Sequence, residues 1–292
     1  MELWKALVMG VIQGIAEFLP ISSSGHLAIF KHILHLDLES GGMMFDILLH
    51  VGTLLAVFVV FYKDIWELIM EGIGIVIDFF KNVGRFFQNL LSKDKKEYIR
   101  IVDSEYRKFV MLVIVSTIPT GVIGYLGKDI IERAGQTLLI PGLCLLATAV
   151  LLVIADRFNQ GTNKPDRISY SDAAIVGCSQ GIATLPGLSR SGTTIAISLL
   201  LGFDKNFAVK YSFIMSIPAI MGAAVLDLKD IQAASLPAHV WFNYLAGTVV
   251  AAIVGYICIK TMLVIVRGKK FTFFSIYCFI VGIIAIVAYF LL

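Results

Sequence analysis

Two short stretches of this chain hold the residues that could do chemistry. Residues 13–26 read QGIAEFLPISSSGH, and residues 180–193 read QGIATLPGLSRSGT. The first carries a carboxylate (Glu17), three consecutive hydroxyls (Ser22, Ser23, Ser24), Gly25 and an imidazole (His26). The second sets a guanidinium (Arg190) between Ser189 and Ser191, followed by Gly192, Thr193 and Thr194. Arginine offers a planar fork suited to phosphate oxygens. A serine cluster that opens an apolar helical run marks a helix N-terminus, where free N–H groups and the positive dipole end favour an anion. Two such N-termini, one arginine and a set of hydroxyls point to a phosphate or pyrophosphate site. Glu17, if poorly solvated, can act as a general base or orient an imidazole. His26 can transfer a proton or attack phosphorus, and a serine beside a base can be a nucleophile. The residues leave the attacking group open among Ser23, His26 and water. Taken singly, the serines could do no more than cap helices and let them pack closely. Arg190, Glu17 and His26 together favour a site.

The elements that position these residues follow from composition. Of 292 residues, 58% are hydrophobic and only 15% are charged, against about a quarter in an ordinary soluble domain. Mean hydropathy is +0.86. This excludes a soluble globular enzyme, a disordered chain and a nucleic-acid-binding domain, and predicts an all-α integral membrane protein built as a single unit, 1–292. Runs free of Asp, Glu, Lys and Arg predict six spans within 47–62, 109–127, 134–155, 211–226, 231–259 and 271–292. Two further apolar regions, 6–36 and 173–203, are broken at their centres by Pro, Gly and Ser. Each limb, of about 11–16 residues, covers roughly 17–24 Å if helical. That is too short for either limb to cross a bilayer, so both regions read as re-entrant helical hairpins, with a kinked full span as the alternative. Residues 65–91 show polar positions at helical spacing among Ile, Leu, Phe and Val, the pattern of an interfacial amphipathic helix, and 92–108 reads as a charged loop. The four cysteines lie in apolar stretches without CxxC spacing and read as buried small hydrophobes. The N-terminus, MELWKALVMG, does not read as a signal peptide.

The two hairpins match each other. At a constant offset of 167, without a gap, 7 of 14 positions are identical. Three spans separate the copies, and an odd number of crossings inverts the second. The pattern is an inverted-topology repeat, repeat 1 about 1–155 with the 63–108 insertion and repeat 2 about 171–292, whose hairpin tips should meet near the midplane. Across the repeat Glu17 corresponds to Thr184, Ser23 to Arg190 and His26 to Thr193, so one composite site would carry unlike groups. Loops 63–108, 156–172, 204–210 and 260–270 hold 18 of the 24 Lys and Arg, against 5 on the other face, which makes the first face cytoplasmic and turns both termini outward. His32, His35, His50 and His239 fall near predicted segment ends and read as interfacial. Asp46 and His50, one helical turn apart, are weaker supporting candidates, and Lys5 and Lys31 read as snorkelling.

EFLPISSSGH and LPGLSRSGTTIAISLLLGF resemble the two signature regions of the bacterial undecaprenyl-pyrophosphate phosphatases of the bacitracin-resistance type, and VSTIPTGVIG extends the likeness over nearly the whole chain. The resemblance implies a hydrolase in the bacterial cytoplasmic membrane that removes the terminal phosphate of undecaprenyl pyrophosphate. It would act on the outer side, recycle the carrier for wall polymers, depend on a divalent cation (magnesium or calcium), and have membrane lipids and a second copy as partners. By that likeness Ser22 and Ser23 match a serine pair with Ser23 as nucleophile, His26 is a nucleophile or acid–base group, and Arg190 binds phosphate between Ser189 and Ser191. Gln13, Ser24, Gly25, Gly192, Thr193 and Thr194 would complete the binding set. Some members carry Glu where this chain has Gln13, so a two-carboxylate metal site is not expected. Glu17 would instead share a cation with the substrate's phosphates. A second lipid-phosphatase superfamily with a PSGH-like motif needs a later histidine after its Ser-Arg, and SGTTIAI offers none. The alternative function is a lipid-phosphate transporter or flippase using the same repeat, and a remoter one is a small-anion channel.

Overall fold

A computed structural model describes residues 1–34, 36, 42–92, 94–157, 161–230, 237–268 and 271–291, without the side chains at 32, 227–230 and 267. Among these residues there are twelve α-helices, one short 3-10 turn and no strand. In chain order they are α1 (Leu3–Phe18), α2 (Ser23–Ile33), α3 (Gly42–Val60), α4 (Tyr62–Leu91), α5 (Glu105–Leu126), α6 (Lys128–Gly135), α7 (Leu139–Arg157), α8 (Tyr170–Ile182), α9 (Arg190–Leu200), α10 (Lys205–Asp230), α11 (Ala238–Arg267) and α12 (Phe271–Leu291). Six helices, α3, α5, α7, α10, α11 and α12, are long and apolar enough to cross a membrane. The protein is a multi-pass, all-α membrane protein.

Charge-free runs mark only the apolar middle of each span, so several boundaries move. Helix α10 begins at Lys205, capped by Asp204, whose Oδ1 accepts from Phe207 N at 3.0 Å. The expected loop 204–210 is therefore mostly helix. Helix α11 continues to Arg267 through most of the expected loop 260–270, while residues 231–236 of that predicted run lie outside the described residues. The predicted third run is split, with α6 ending at Gly135 and α7 starting at Leu139. Helices α1, α2, α8 and α9 have 16, 11, 13 and 11 residues. At 1.5 Å per residue, all four fall short of a hydrocarbon core about 30 Å thick.

Glycines set how closely these short helices approach the spans. Helix α1 lies along α11, and α8 lies along α5. A Cβ on Gly10 would fall 2.3 Å from Gly247 O, and one on Gly14 would fall 2.8 Å from Val254 Cβ. At the same offset of 167, a Cβ on Gly177 would fall 2.1 Å from Ser116 O, and one on Gly181 would fall 2.7 Å from Ile123 Cβ. Both pairs are four apart, the small-xxx-small spacing that lets helix backbones meet. Thr120 Oγ1 then donates to Gly177 O at 2.8 Å. Gly177→Leu is expected to force α8 off α5 and to cost more than the usual 1–3 kcal/mol or so of an overpacked core, because the obstacle is backbone. Thermal melting in detergent reads this against Gly84→Leu, where a Cβ meets nothing within 4 Å. Equal melting of the two variants would contradict the packing account.

Helix α4 separates its faces sharply. Trp66, Met70, Ile73, Ile77, Phe80 and Phe87 are exposed along one side. Glu71, Asp78, Asn82, Arg85 and Asn89 line the other, and the following segment lies along them. Asn82 takes both backbone groups of Ile99, at 2.7 and 2.8 Å, and Asn89 takes both of Lys96, at 2.9 and 2.7 Å. Arg107 reaches back to Glu71 at 2.7 Å and Asp78 at 2.9 Å. Residues 94–104 of the expected charged loop thus form an extended strap on the polar face of α4, while 105–108 open α5. Hydrogen bonds from Arg107 and Lys81 hold the Asp78 carboxyl below its ordinary value of 3.8. The folded value is depressed, so this contribution is present above the unfolded pKa and is lost as pH falls through the folded one. Cleavage of the strap by an acid protease should rise as pH drops below about 4, and pH-independent cleavage would mean that Asn82, Arg85 and Asn89 hold it without Asp78.

Candidate active site

The last two turns of α1 carry Gln13 and Glu17 on one face, and both are buried. The chain leaves the helix at Leu19 and turns through Pro20. It re-enters a helix after Ser22, the one non-glycine position with positive φ (+69°) among the described residues. That conformation is costly for a residue with a side chain, and such residues gather at functional turns. It is stabilised locally. Ser22 Oγ accepts from Gly25 N at 3.3 Å and lies 3.3 Å from Ser24 Oγ, and Ser22 O accepts from His26 N at 3.2 Å. The turn folds Ser23 back over α1, so that Ser23 Oγ donates to Glu17 Oε2 at 2.7 Å. Gln13 Nε2 donates to the same oxygen at 3.1 Å.

The second tip closes on the other oxygen. Ser189 caps α9, its Oγ accepting from Gly192 N at 3.1 Å while its own N–H donates to Thr148 Oγ1 at 3.0 Å. Arg190, the first residue of α9, pairs through Nη2 with Glu17 Oε1. The tips touch elsewhere. Ser191 Oγ lies 3.4 Å from Leu19 O, a Cβ on Gly192 would fall 3.1 Å from Pro20 Cβ, and one on Gly25 would fall 3.1 Å from Gly187 Cα. Glu17 is therefore a buried carboxylate, its side chain 2% exposed, that holds a hydroxyl, an amide and a guanidinium at once. Its repeat counterpart Thr184 only donates to Gly181 O.

Not every expected residue converges. Thr194 is buried in bonds to Ser212 Oγ (2.6 Å) and to Arg190 O (2.9 Å), a packing role. The Thr193 hydroxyl is buried without a partner. His26 is held away from Glu17, with Nδ1 2.7 Å from Ser22 O and Nε2 2.7 Å from the Tyr277 hydroxyl. The option that Glu17 orients this imidazole is not the arrangement found, because Ser23 occupies the carboxylate. His50, paired with Asp46 as a weaker supporting candidate, places Nε2 3.9 Å from Glu17 Oε2 and Nδ1 2.8 Å from Asp46 O. The i, i+4 spacing of Asp46 and His50 was the available signal. Lys31 pairs with Asp46. His35 lies outside the described residues, as does the side chain of His32. Tyr277 sits in an apolar run that offered no signal at all.

Among the described residues no group of three or more His, Cys, Asp and Glu could hold a metal ion. The donors at the tips are nonetheless of the right kind for a hard cation that takes part of its oxygens from a ligand. Beside the Glu17 carboxylate, Gln13 Oε1 is a buried amide oxygen with no partner. The four cysteines are free, two of them buried and two partly so.

Six helices long and apolar enough to span, around a buried carboxylate that takes an arginine and a serine hydroxyl, define a multi-pass membrane protein with a polar centre. The family model of the bacitracin resistance protein BacA matches residues 6–284, and the chain belongs to that family. It is 41% identical over 287 residues to a protein of Methanosphaera stadtmanae named undecaprenyl-diphosphatase, covering 98% of each chain. Proteins of the same name from Alkaliphilus metalliredigens and Halothermothrix orenii are 40% and 37% identical, also over 98% of each chain.

Proposed function

We propose that this protein hydrolyses undecaprenyl pyrophosphate to undecaprenyl phosphate and inorganic phosphate. The observation that carries the reading is the convergence of Arg190 and Ser23 on one buried carboxylate, Glu17, at the contact of two helix N-termini. Arg190 exchanges Glu17 for the terminal phosphate, whose charge the N–H groups at the start of α2 and α9 also meet. Ser23 Oγ, aligned on Glu17 Oε2, attacks the terminal phosphorus. An O–P bond forms, the anhydride P–O bond breaks, and the hydroxyl proton passes to Glu17. Undecaprenyl phosphate leaves, and water then cleaves the phosphoserine to free phosphate and regenerate the hydroxyl. Glu17 and Gln13 Oε1 would hold a magnesium or calcium ion with the substrate's phosphates, which would supply neutralisation of charge on the transferred group. A transporter would use Arg190 but has no need of a serine hydrogen-bonded to a carboxylate.

In this reading both hairpins re-enter the cytoplasmic membrane and meet near its midplane as halves of an inverted repeat, the prenyl tail lies among the spans, and the site opens outward. Matching helix pairs, α1 on α11 and α8 on α5, support the repeat. The exposed aromatic face of α4 supports a position along the cytoplasmic membrane interface.

Phosphate release from undecaprenyl pyrophosphate by the purified full-length protein in detergent tests the reaction. Release with magnesium or calcium that falls to background in chelator is expected. Folded protein that releases nothing under either cation overturns the enzyme reading and leaves lipid transport.

A further inference from the structure

We propose that Tyr277 is a positioning residue of the reaction, acting through His26 to fix which ring nitrogen is basic and to keep it from attacking phosphorus. The inference rests on reading the hairpin tips as the active site. His26 Nδ1 lies 2.7 Å from Ser22 O, and a carbonyl oxygen can only accept, so the Nδ1 nitrogen carries the proton. In the neutral ring the lone pair is then on Nε2. The Tyr277 hydroxyl lies 2.7 Å from that atom and donates to it. The two ring planes are nearly parallel, at 10°, with centroids 5.6 Å apart.

Two independent anchors therefore hold this imidazole at opposite ends. One comes from the hairpin turn that carries the strained Ser22. The other comes from α12, 251 positions away in sequence. Helix α12 is tied to the same hairpin next door, where Cys278 Sγ donates to Pro20 O at 3.5 Å. His26 itself is 5% exposed, so without Tyr277 its lone pair would be left buried and unpaired.

This arrangement has a chemical consequence. A lone pair occupied by a hydroxyl donor cannot attack phosphorus in line. The same nitrogen can still take a proton by relay: as the water that cleaves the phosphoserine gives a proton to the tyrosine oxygen, the hydroxyl's own proton passes to Nε2, and the reverse transfer returns it to the departing phosphate. When Nε2 is protonated, the N–H donates to the tyrosine oxygen and Nδ1–H stays on Ser22 O, so both bonds survive the charge change. Tyr277 thus makes His26 a proton acceptor and donor and leaves the covalent step to Ser23.

The test is a double-mutant cycle on the full-length protein in detergent, with undecaprenyl pyrophosphate as substrate. Tyr277→Phe, His26→Ala and the double variant are compared between about pH 5 and pH 8. Tyr277→Phe is expected to lower kcat by about tenfold to a hundredfold, leave KM within about twofold, and displace the pH profile. In the His26→Ala background the same change should cost less than about twofold, since a residue acting through another loses its effect when that partner is gone. Equal losses in both backgrounds, or a loss uniform across pH, would show a purely structural role and overturn the proposal. Tyr277→His restores a hydrogen-bonding ring in case the phenylalanine variant fails to fold. Recovery of a pH-dependent rate supports the proposal, and a dead, folded protein counts against it. Arg190→Ala run alongside separates the two readings. If it retains activity, the site assignment fails whatever the cycle shows.

Discussion

Arg190→Ala should lower kcat/KM for phosphate release by at least about a thousandfold, the range seen when a phosphoryl-binding arginine is removed. The arginine meets the buried Glu17 carboxylate at the tips, and in the proposed reaction it would exchange that carboxylate for the transferred phosphate. Its loss has a second consequence. Glu17, with its side chain 2% exposed, would be left charged and unpaired, a defect that costs about 3–5 kcal/mol in buried ion pairs. A drop in activity alone could therefore reflect unfolding. The double variant Glu17→Gln/Arg190→Ala separates the effects. Its melting temperature in detergent should return toward that of the parent while phosphate release stays absent. Arg190→Lys keeps the charge but not the planar fork and should fall between. An Arg190→Ala protein that keeps a tenth of the parent rate would remove the arginine from the reaction.

Ser23→Ala should lower the rate by at least about a thousandfold, comparable to removal of an activated serine nucleophile elsewhere, with little loss of fold. Ser23 contributes one hydrogen bond, to Glu17, and Gln13 and Arg190 keep that carboxylate satisfied when the hydroxyl is gone. Ser22→Ala is the contrast. Ser22 Oγ supports the turn by accepting from Gly25 N and makes no bond to Glu17. Its loss should act on stability more than on the chemical step. Acid quenching during turnover of radiolabelled substrate should trap phosphate on the parent protein and none on Ser23→Ala. If Ser23→Ala keeps its rate within tenfold, water activated by Glu17 is the attacking group.

The strap on α4 shows how local patterns can be read correctly and still mislead. Asn82, Arg85 and Asn89 recur at helical spacing, and a polar helix face is ordinarily a face turned to water. Here that face is satisfied by the backbone of residues 96–99, a partner that cannot be seen in the spacing of the helix itself. The outward apolar face was legible because amphipathicity is a local property of the sequence.

The same division holds for the whole molecule. Apolar runs, Pro-Gly-Ser breaks and a repeat at an offset of 167 are written along the chain, because span length, helix breaking and capping depend on neighbours within a few residues. These determined the class of fold and the break within each pair of short helices, and they pointed to Glu17, Ser23, His26 and Arg190 as candidates. What the residues do to one another was decided across the bundle. Arg190 meets Glu17 over 173 positions, and His26 meets Tyr277 over 251. His50 reaches the carboxylate only when α3 packs against α1. Those meetings are set by how closely helices approach at Gly10, Gly14, Gly177 and Gly181, and by a single left-handed turn at Ser22 that gives Ser23 rather than His26 to Glu17. Close packing of backbones fixes such pairings to within an ångström, and no one-dimensional periodicity encodes them.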